Sequence, residues 1–315
     1  MSELLEMAFN PLQANQITAS GHELDLSSDK FGVLRDSSDL ALNAEQLRAR
    51  MEEDGYLYLP GLLNRDDVIE ARRTVANQLM AEGHLAPGTD PMDCIAALDT
   101  QLAFRPDLSK DNPALMKVLY DGPMIAFYER FLGCAVRHFD FTWFRAISPG
   151  GATYPHTDAV YMNRGTQNLY TSWTPIGDVT QEIGGLMVLE GSHKHQKIRE
   201  NYSASDVDAF CENKVGKDYT GMGGGGNIRS GGWLSNNPVT LREAVGGRWL
   251  TADFRMGDLL MFSIYTIHAS IDNRSNQIRL SSDSRYQSAA EPADERWIGT
   301  NPIGHGPQGK RAMIC

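Results

Sequence analysis

The chain has 315 residues, 41% of them hydrophobic and 22% charged, an ordinary balance for a globular protein that buries a real core, which excludes whole-chain disorder. A formal charge of −11 argues against nucleic acid or an anionic membrane as partner, since both need clustered Lys and Arg.

Residues 1–40 are polar with weak periodicity and read as an arm laid over the body. Residues 41–135 read as helical support. Leu47 and Met51 stand four apart in a helical run from Asn43, and Gly55-Tyr-Leu-Tyr-Leu-Pro60 is a short strand. Asn64 with Asp66 and Asp67 caps a helix to about Met80, and a helical stretch from Pro113 to Leu132 breaks near Gly122-Pro123. From Val136 the pattern is one of strands: Val136–Ile147, Asn168–Ile176, Gly185–Leu189, Trp249–Phe254, Asp258–Ile267 and Gln277–Gln287. An insertion over 194–248 carries a helical piece, Ser205–Asn213, and a Gly-rich tract; residues 291–315 read as an irregular tail. Helices first and strands afterwards predict one α+β domain over 1–315, a mainly β barrel or sandwich at 136–290 buttressed by N-terminal helices.

No apolar run approaches the ~18 residues of a membrane span. The acidic start has neither the basic nor the apolar stretch of a signal peptide. Cys94, Cys134, Cys211 and Cys315 are scattered, with no C-x-x-C pair. A reduced, cytoplasmic chain is expected, with no nucleic-acid or membrane partner and no oligomeric state implied.

Two H-x-D triplets carry the chemistry, His138-Phe-Asp140 and His156-Thr-Asp158. Residues i and i+2 of an extended segment share a face, so imidazole and carboxylate can close on one metal ion. A further His completes a triad that leaves positions open for a bidentate substrate and O2, the arrangement ferrous iron uses. His268 follows the apolar run Leu259–Ile267, and Arg279 comes eleven residues later on the returning strand, expected beside His268. Its planar fork suits a carboxylate, and Ser281 shares its face.

These residues resemble the phytanoyl-CoA dioxygenase family of Fe(II)/2-oxoglutarate oxygenases over most of the chain. Glu53-Asp-Gly-Tyr-Leu-Tyr-Leu-Pro-Gly61 is similar to its N-terminal signature, and Pro149-Gly-Gly leading to His156-Thr-Asp158 to its metal loop. Trp173-Thr-Pro-Ile176, Gly185 through Gly191-Ser-His193, and Asp258-Leu-Leu-Met-Phe262 through His268 to Arg279 follow in the family's order. The resemblance implies a double-stranded β-helix (jelly roll, cupin-like). It implies iron held by His156, Asp158 and His268, and 2-oxoglutarate by Arg279, with Ser281 and Trp173 lining its pocket. The implied activity is a dioxygenase that hydroxylates or desaturates a small molecule while O2 and 2-oxoglutarate give CO2 and succinate, with ascorbate in support. His138 then reads as a strand histidine bonded to a neighbour. The readings weighed against this are a non-catalytic jelly-roll binding protein and a zinc hydrolase on the same ligands.

Other features are discounted. Gly221-Met-Gly-Gly-Gly-Gly226 spells G-x-G-x-x-G without a helix after it, so a flap is expected instead, with Trp233 and Arg229 closing over substrate. His193-Lys-His195 reads as a surface loop. Asp283 and Arg285 share the face of Arg279, but at ~3.3 Å per residue Arg285 lies roughly 20 Å from it, too far for the same anion. The two are expected to pair with each other or to line the opening.

Overall fold

The computed structural model describes residues 16–212 and 231–313; the tract 221–226 and Arg229 fall outside them. The described part of the N-terminal arm, from residue 16, carries more regular structure than its composition predicts. β1 (Thr18–Ala19) and β2 (His22–Glu23) form a hairpin, and β3 (Phe31–Val33) pairs in parallel with Trp249–Thr251 at a sheet edge. Backbone ladder bonds hold this edge whatever the side chains, which is why a polar sequence hid it.

Helix α1 (Ala44–Asp54) begins at Asn43, whose side chain accepts from Gln46 N, and ends at Gly55 with φ 77°. Only glycine fits there, because a Cβ would also stand 2.3 Å from the ring of His193. β4 (Tyr56–Leu59) follows, then α2 (Arg65–Ala81) capped by Asn64, and α3 (Pro113–Tyr120) and α4 (Gly122–Leu132), which part at Asp121. The aromatic run after Val136 divides into β5 (Val136–His138) and β6 (Trp143–Ile147). Next come β7 (Tyr170–Pro175), β8 (Leu186–Leu189), helix α5 (Gln196–Glu200) and β9 (Ala209–Cys211). The chain ends through β10 (Trp249–Thr251), β11 (Leu259–Ser263), β12 (His268–Ser270), β13 (Arg279–Ser288) and β14 (Arg311–Met313).

A six-stranded sheet runs β4-β11-β7-β13-β5, with β6 also on β13, and a four-stranded sheet runs β12-β8-β10-β3. Period-two alternation sorts their side chains into layers. Leu57, Leu59, Met261, Leu280 and Tyr286 point outward into a core shared with Val68, Leu79, Leu115 and Phe127 of the helices. Tyr56, Tyr58, Trp173, Leu260 and Phe262 point inward and meet Val188 and Leu250 of the other sheet. Met187, Leu189, Trp249 and Ala269 lie on that sheet's outer face with Leu241 of the helix Pro238–Val245. The result is α+β with a mainly β core, a jelly roll buttressed by N-terminal helices. No helix among the described residues is long and apolar enough to cross a membrane.

The insertion departs from expectation. The described residues of the predicted helix at 205–213 instead form a turn leading into β9, which pairs in parallel with β14 of the tail. A distant strand partner overrides local pattern here, the commonest way such readings fail. His193 is buried, not on a surface loop: its Nε2 lies 3.0 Å from Glu52 O.

Candidate active site

The metal-ligand candidates are set by backbone pairing. His156 and His268 face each other across an antiparallel bridge, His156 N donating to His268 O at 3.1 Å and His268 N to His156 O at 3.0 Å. Side chains opposite each other in such a pair emerge together, and the two imidazole centroids are 4.2 Å apart. Asp158 opens a short 3₁₀ turn two residues after His156 and points to the same place. Its Oδ1 lies 3.6 Å from His156 Nε2 and 3.8 Å from His268 Nε2. The three donor atoms fall within 4.8 Å of one another, and all three residues are buried.

Hydrogen bonds on the far side of each ligand orient it. His156 Nδ1 lies 2.7 Å from Tyr154 O and His268 Nδ1 3.1 Å from Thr266 O, so both Nδ1 carry the proton and both Nε2 lone pairs face inward. Burial pushes His156 down to about 3, helped by His268, and burial also lowers His268. Both imidazoles are therefore neutral at pH 7, the form that ligates. Burial would raise Asp158, but Arg285 and the two histidines outweigh it and hold the carboxyl well below the usual range. Thr171 Oγ1 at 2.5 Å and Arg285 Nη2 at 2.8 Å both donate to Asp158 Oδ2, which leaves Oδ1 for a metal. Thr157 turns away, to Ser203 Oγ at 3.0 Å.

The other triplet forms no such cluster. His138 Nδ1 lies 2.9 Å from Phe139 O, its ring rests on Tyr120 at 4.2 Å, and Asp140 accepts from Gly299 N.

Arg279 and His268 occupy different sheets, so they are not strand neighbours as predicted; they face the same interior from opposite walls. Arg279 is 1% exposed, donates Nη1 to Gly184 O, and leaves Nε and Nη2 without a partner in the chain. Burial, with Arg145 nearby, pushes it down to about 9. Ser281 Oγ and Trp173 Nε1 are likewise buried and unpartnered. Buried donors without acceptors are costly, so this cluster fits an anion that the chain itself does not supply. The Arg145–Asp283 pair, 2.9 Å apart, lies between the two ends of the interior: Arg145 acts on both His156 and Arg279, and Asp283 on both His268 and Arg279.

Asp283 and Arg285 do not pair with each other, because Arg145 and Asp158 take them. Arg285 does line the opening. A cavity of about 450 Å³ exposes His156, Asp158, Arg285 and Arg145 at its base, with Phe104, Phe141, Trp143 and Tyr161 as walls. Trp233 of the insertion and Trp297 and His305 of the tail complete the lining. The two tail residues are framed by a buried ion cluster in which Arg296, fully buried, reaches Asp294 at 2.6 Å, Asp208 at 2.6 Å and Asp206 at 3.1 Å. His305 Nδ1 meets the same Asp208 at 2.7 Å.

Sequence reasoning missed Arg285 and Thr171 as partners of Asp158. The signal was present, since both fall on inward positions directly opposite each other in the β7–β13 pairing. It missed His305 and Trp297 altogether, and only the fold brings the tail to the rim.

Fold and site together define a non-haem metal oxygenase architecture, a jelly roll with two imidazoles and one carboxylate converging beside an anion pocket. The chain belongs to the phytanoyl-CoA dioxygenase (PhyH) family, which it matches over residues 51–281. It is an Fe(II)/2-oxoglutarate-dependent dioxygenase. Two relatives carry the name 1-deoxypentalenic acid 11-beta-hydroxylase. The one from Streptomyces arenae is 25% identical over 281 residues, covering 84% of this chain and 88% of that protein. The one from Streptomyces exfoliatus is 26% identical with the same coverage. Among solved structures, the non-heme alpha ketoglutarate dependent carbocyclase SnoK from nogalamycin biosynthesis aligns with TM-score 0.56 and 17% identity over 80% of this chain and 88% of its own. EctD from S. alaskensis with 2-oxoglutarate and 5-hydroxyectoine aligns with TM-score 0.55 and 15% identity over 95% and 94%.

Proposed function

We propose that His156, Asp158 and His268 hold the ferrous iron, that Arg279 grips the remote carboxylate of 2-oxoglutarate with Ser281 and Trp173 beside it, and that a small molecule in the 450 Å³ cavity is hydroxylated. The observation that carries the reading is the convergence of three buried donor atoms within 4.8 Å of one another. When bound, iron with 2-oxoglutarate supplies the oxidising power for attack on an unactivated C–H bond, converting O2 and the cosubstrate to CO2 and succinate.

The chain's own residues prepare that step. Tyr154 O and Thr266 O fix the tautomers of both imidazoles, so metal binding requires no proton to leave them. Thr171 and Arg285 occupy Oδ2 of Asp158, so the carboxylate would offer a metal its Oδ1. The aromatic walls would hold an apolar body beside the three ligand candidates. Hydroxylation, there of 1-deoxypentalenic acid, is also what the names of the two relatives describe for those proteins. We place the reaction in the cytoplasm, in a single catalytic domain over 1–315, without a nucleic-acid or membrane partner.

Protein purified without oxygen, then given Fe(II), ascorbate and 2-oxoglutarate, should form succinate, and a substrate screen coupled to mass detection should show a product one oxygen heavier. Tight zinc with no succinate under those conditions would favour a hydrolase on the same ligands. No metal bound at all would favour a binding protein.

A further inference from the structure

One buried cation keeps donors to spare. Arg285 gives Nη2 to Asp158, yet its Nε and Nη1 are buried without partners, and the residue is 2% exposed in the lining of the cavity. Its guanidinium lies over the ring of Trp143 at 4.2 Å, which holds its plane in place. The remaining unpartnered buried side-chain atoms among the described lining residues are the indole nitrogens of Trp233 and Trp297. Every one is an N–H donor, so the occupant of the cavity must bring acceptors.

Charge points the same way. Around the interior, the buried Arg279 and Arg285 and the half-buried Arg145 stand against Asp158 and Asp283, one guanidinium more than there are carboxylates. Iron(II) and the 2-oxoglutarate dianion would cancel each other, which leaves one positive charge in excess beside the cavity. Apart from Arg145, Thr153, His156, Asp158, Arg285 and His305, the lining is mostly aromatic and aliphatic.

Building on the proposed function, we propose that the substrate is a monocarboxylic acid with a compact apolar body, and that Arg285 anchors its carboxylate through the N–H groups that Asp158 leaves free. Arginine suits this double duty because its donors fan out in one plane and its charge is permanent. The competing occupant is the metal-side carboxylate of 2-oxoglutarate itself.

The test uses full-length protein saturated with Ni(II) and 2-oxoglutarate, titrated calorimetrically with cyclohexanecarboxylate, naphthoate and adamantanecarboxylate, each beside its methyl ester. The acids should bind at least about 10-fold more tightly than the esters, a difference of ~1.4 kcal/mol. Arg285→Gln should bring the ratio close to one, and Arg285→Lys, which keeps the charge, should retain part of it. Equal binding of acid and ester, or no binding of either at millimolar concentration, overturns the proposal. So does a loss of 2-oxoglutarate affinity in Arg285→Gln with the acid preference intact, which assigns Arg285 to the cosubstrate. Wild-type protein that takes up neither Ni(II) nor 2-oxoglutarate refutes the proposed function itself, a separate result. The wild-type comparison of acid with ester decides the substrate class even if both variants fail to fold.

Discussion

The base of the cavity and its rim are held by different forces. At the base, His156, His268, Arg279 and Arg285 sit in paired backbone, where ladder register fixes the direction of each side chain. At the rim, Trp233, Trp297 and His305 come from the insertion and the tail, joined by β9 with β14 and by the charges gathered on Arg296. The family match ends at residue 281, before the tail begins. The directions of the side chains at the base therefore rest on strand register, and the shape of the opening rests on a few long-range ion pairs that a single change can undo.

The largest expected effect breaks the base. Asp158→Ala should lose iron and succinate formation together, and it strands the Arg285 guanidinium in the interior at a further cost of ~3–5 kcal/mol. Metal analysis and a urea midpoint read both, and retained iron-dependent turnover would falsify the ligand assignment. Breaking the rim should separate the two regions. Arg296→Met leaves Asp206, Asp208 and Asp294 without their shared cation and should cost roughly 3–5 kcal/mol, while metal bound per folded molecule stays constant. A parallel loss of metal would mean that base and rim are one unit.

Arg279→Met probes the cosubstrate end. The KM for 2-oxoglutarate should rise roughly 30- to 150-fold (~2–3 kcal/mol) with metal content unchanged, and the metal-free protein should become more stable because an unpaired buried charge is gone. An unchanged KM would move the cosubstrate elsewhere. The metal-free protein should also respond to acid. His156 falls from an ordinary 6.5 to about 3 on folding, so the unfolded chain binds the proton more readily and stability drops as pH falls through that window. The melting temperature of metal-free protein at pH 7 and pH 5 checks the sign, and a flat response would mean that the site is solvated. The smallest effect belongs to the decoy triplet, where His138→Gln should leave metal content alone and move stability by less than ~1 kcal/mol.

Much of the base was legible in the residues. Asn43, Asn64 and the Gly55 stop delimited helices because capping is local chemistry. The inward set Arg279, Ser281, Asp283 and Arg285 followed from alternation along one long strand. The partner of Arg285 did not follow, since straight-line spacing along β13 says how far it stands from Arg279 and nothing about which loop crosses above it. The segment at 205–213 misled for a related reason: its pairing partner lies about 100 residues further along the chain, at Arg311–Met313.

Sequence by itself marked out the main strands from Val136 onward and the residues sharing a face, because periodicity and short-range spacing decide that; its family resemblance singled out His156-Thr-Asp158, His268 and Arg279. Only the tertiary structure decided that Arg285 belongs to Asp158, that His193 is buried, and that Trp297 and His305 roof the cavity. Those contacts join segments far apart in the chain, and burial removes the water that would otherwise satisfy each charge, so each must find its partner across the fold.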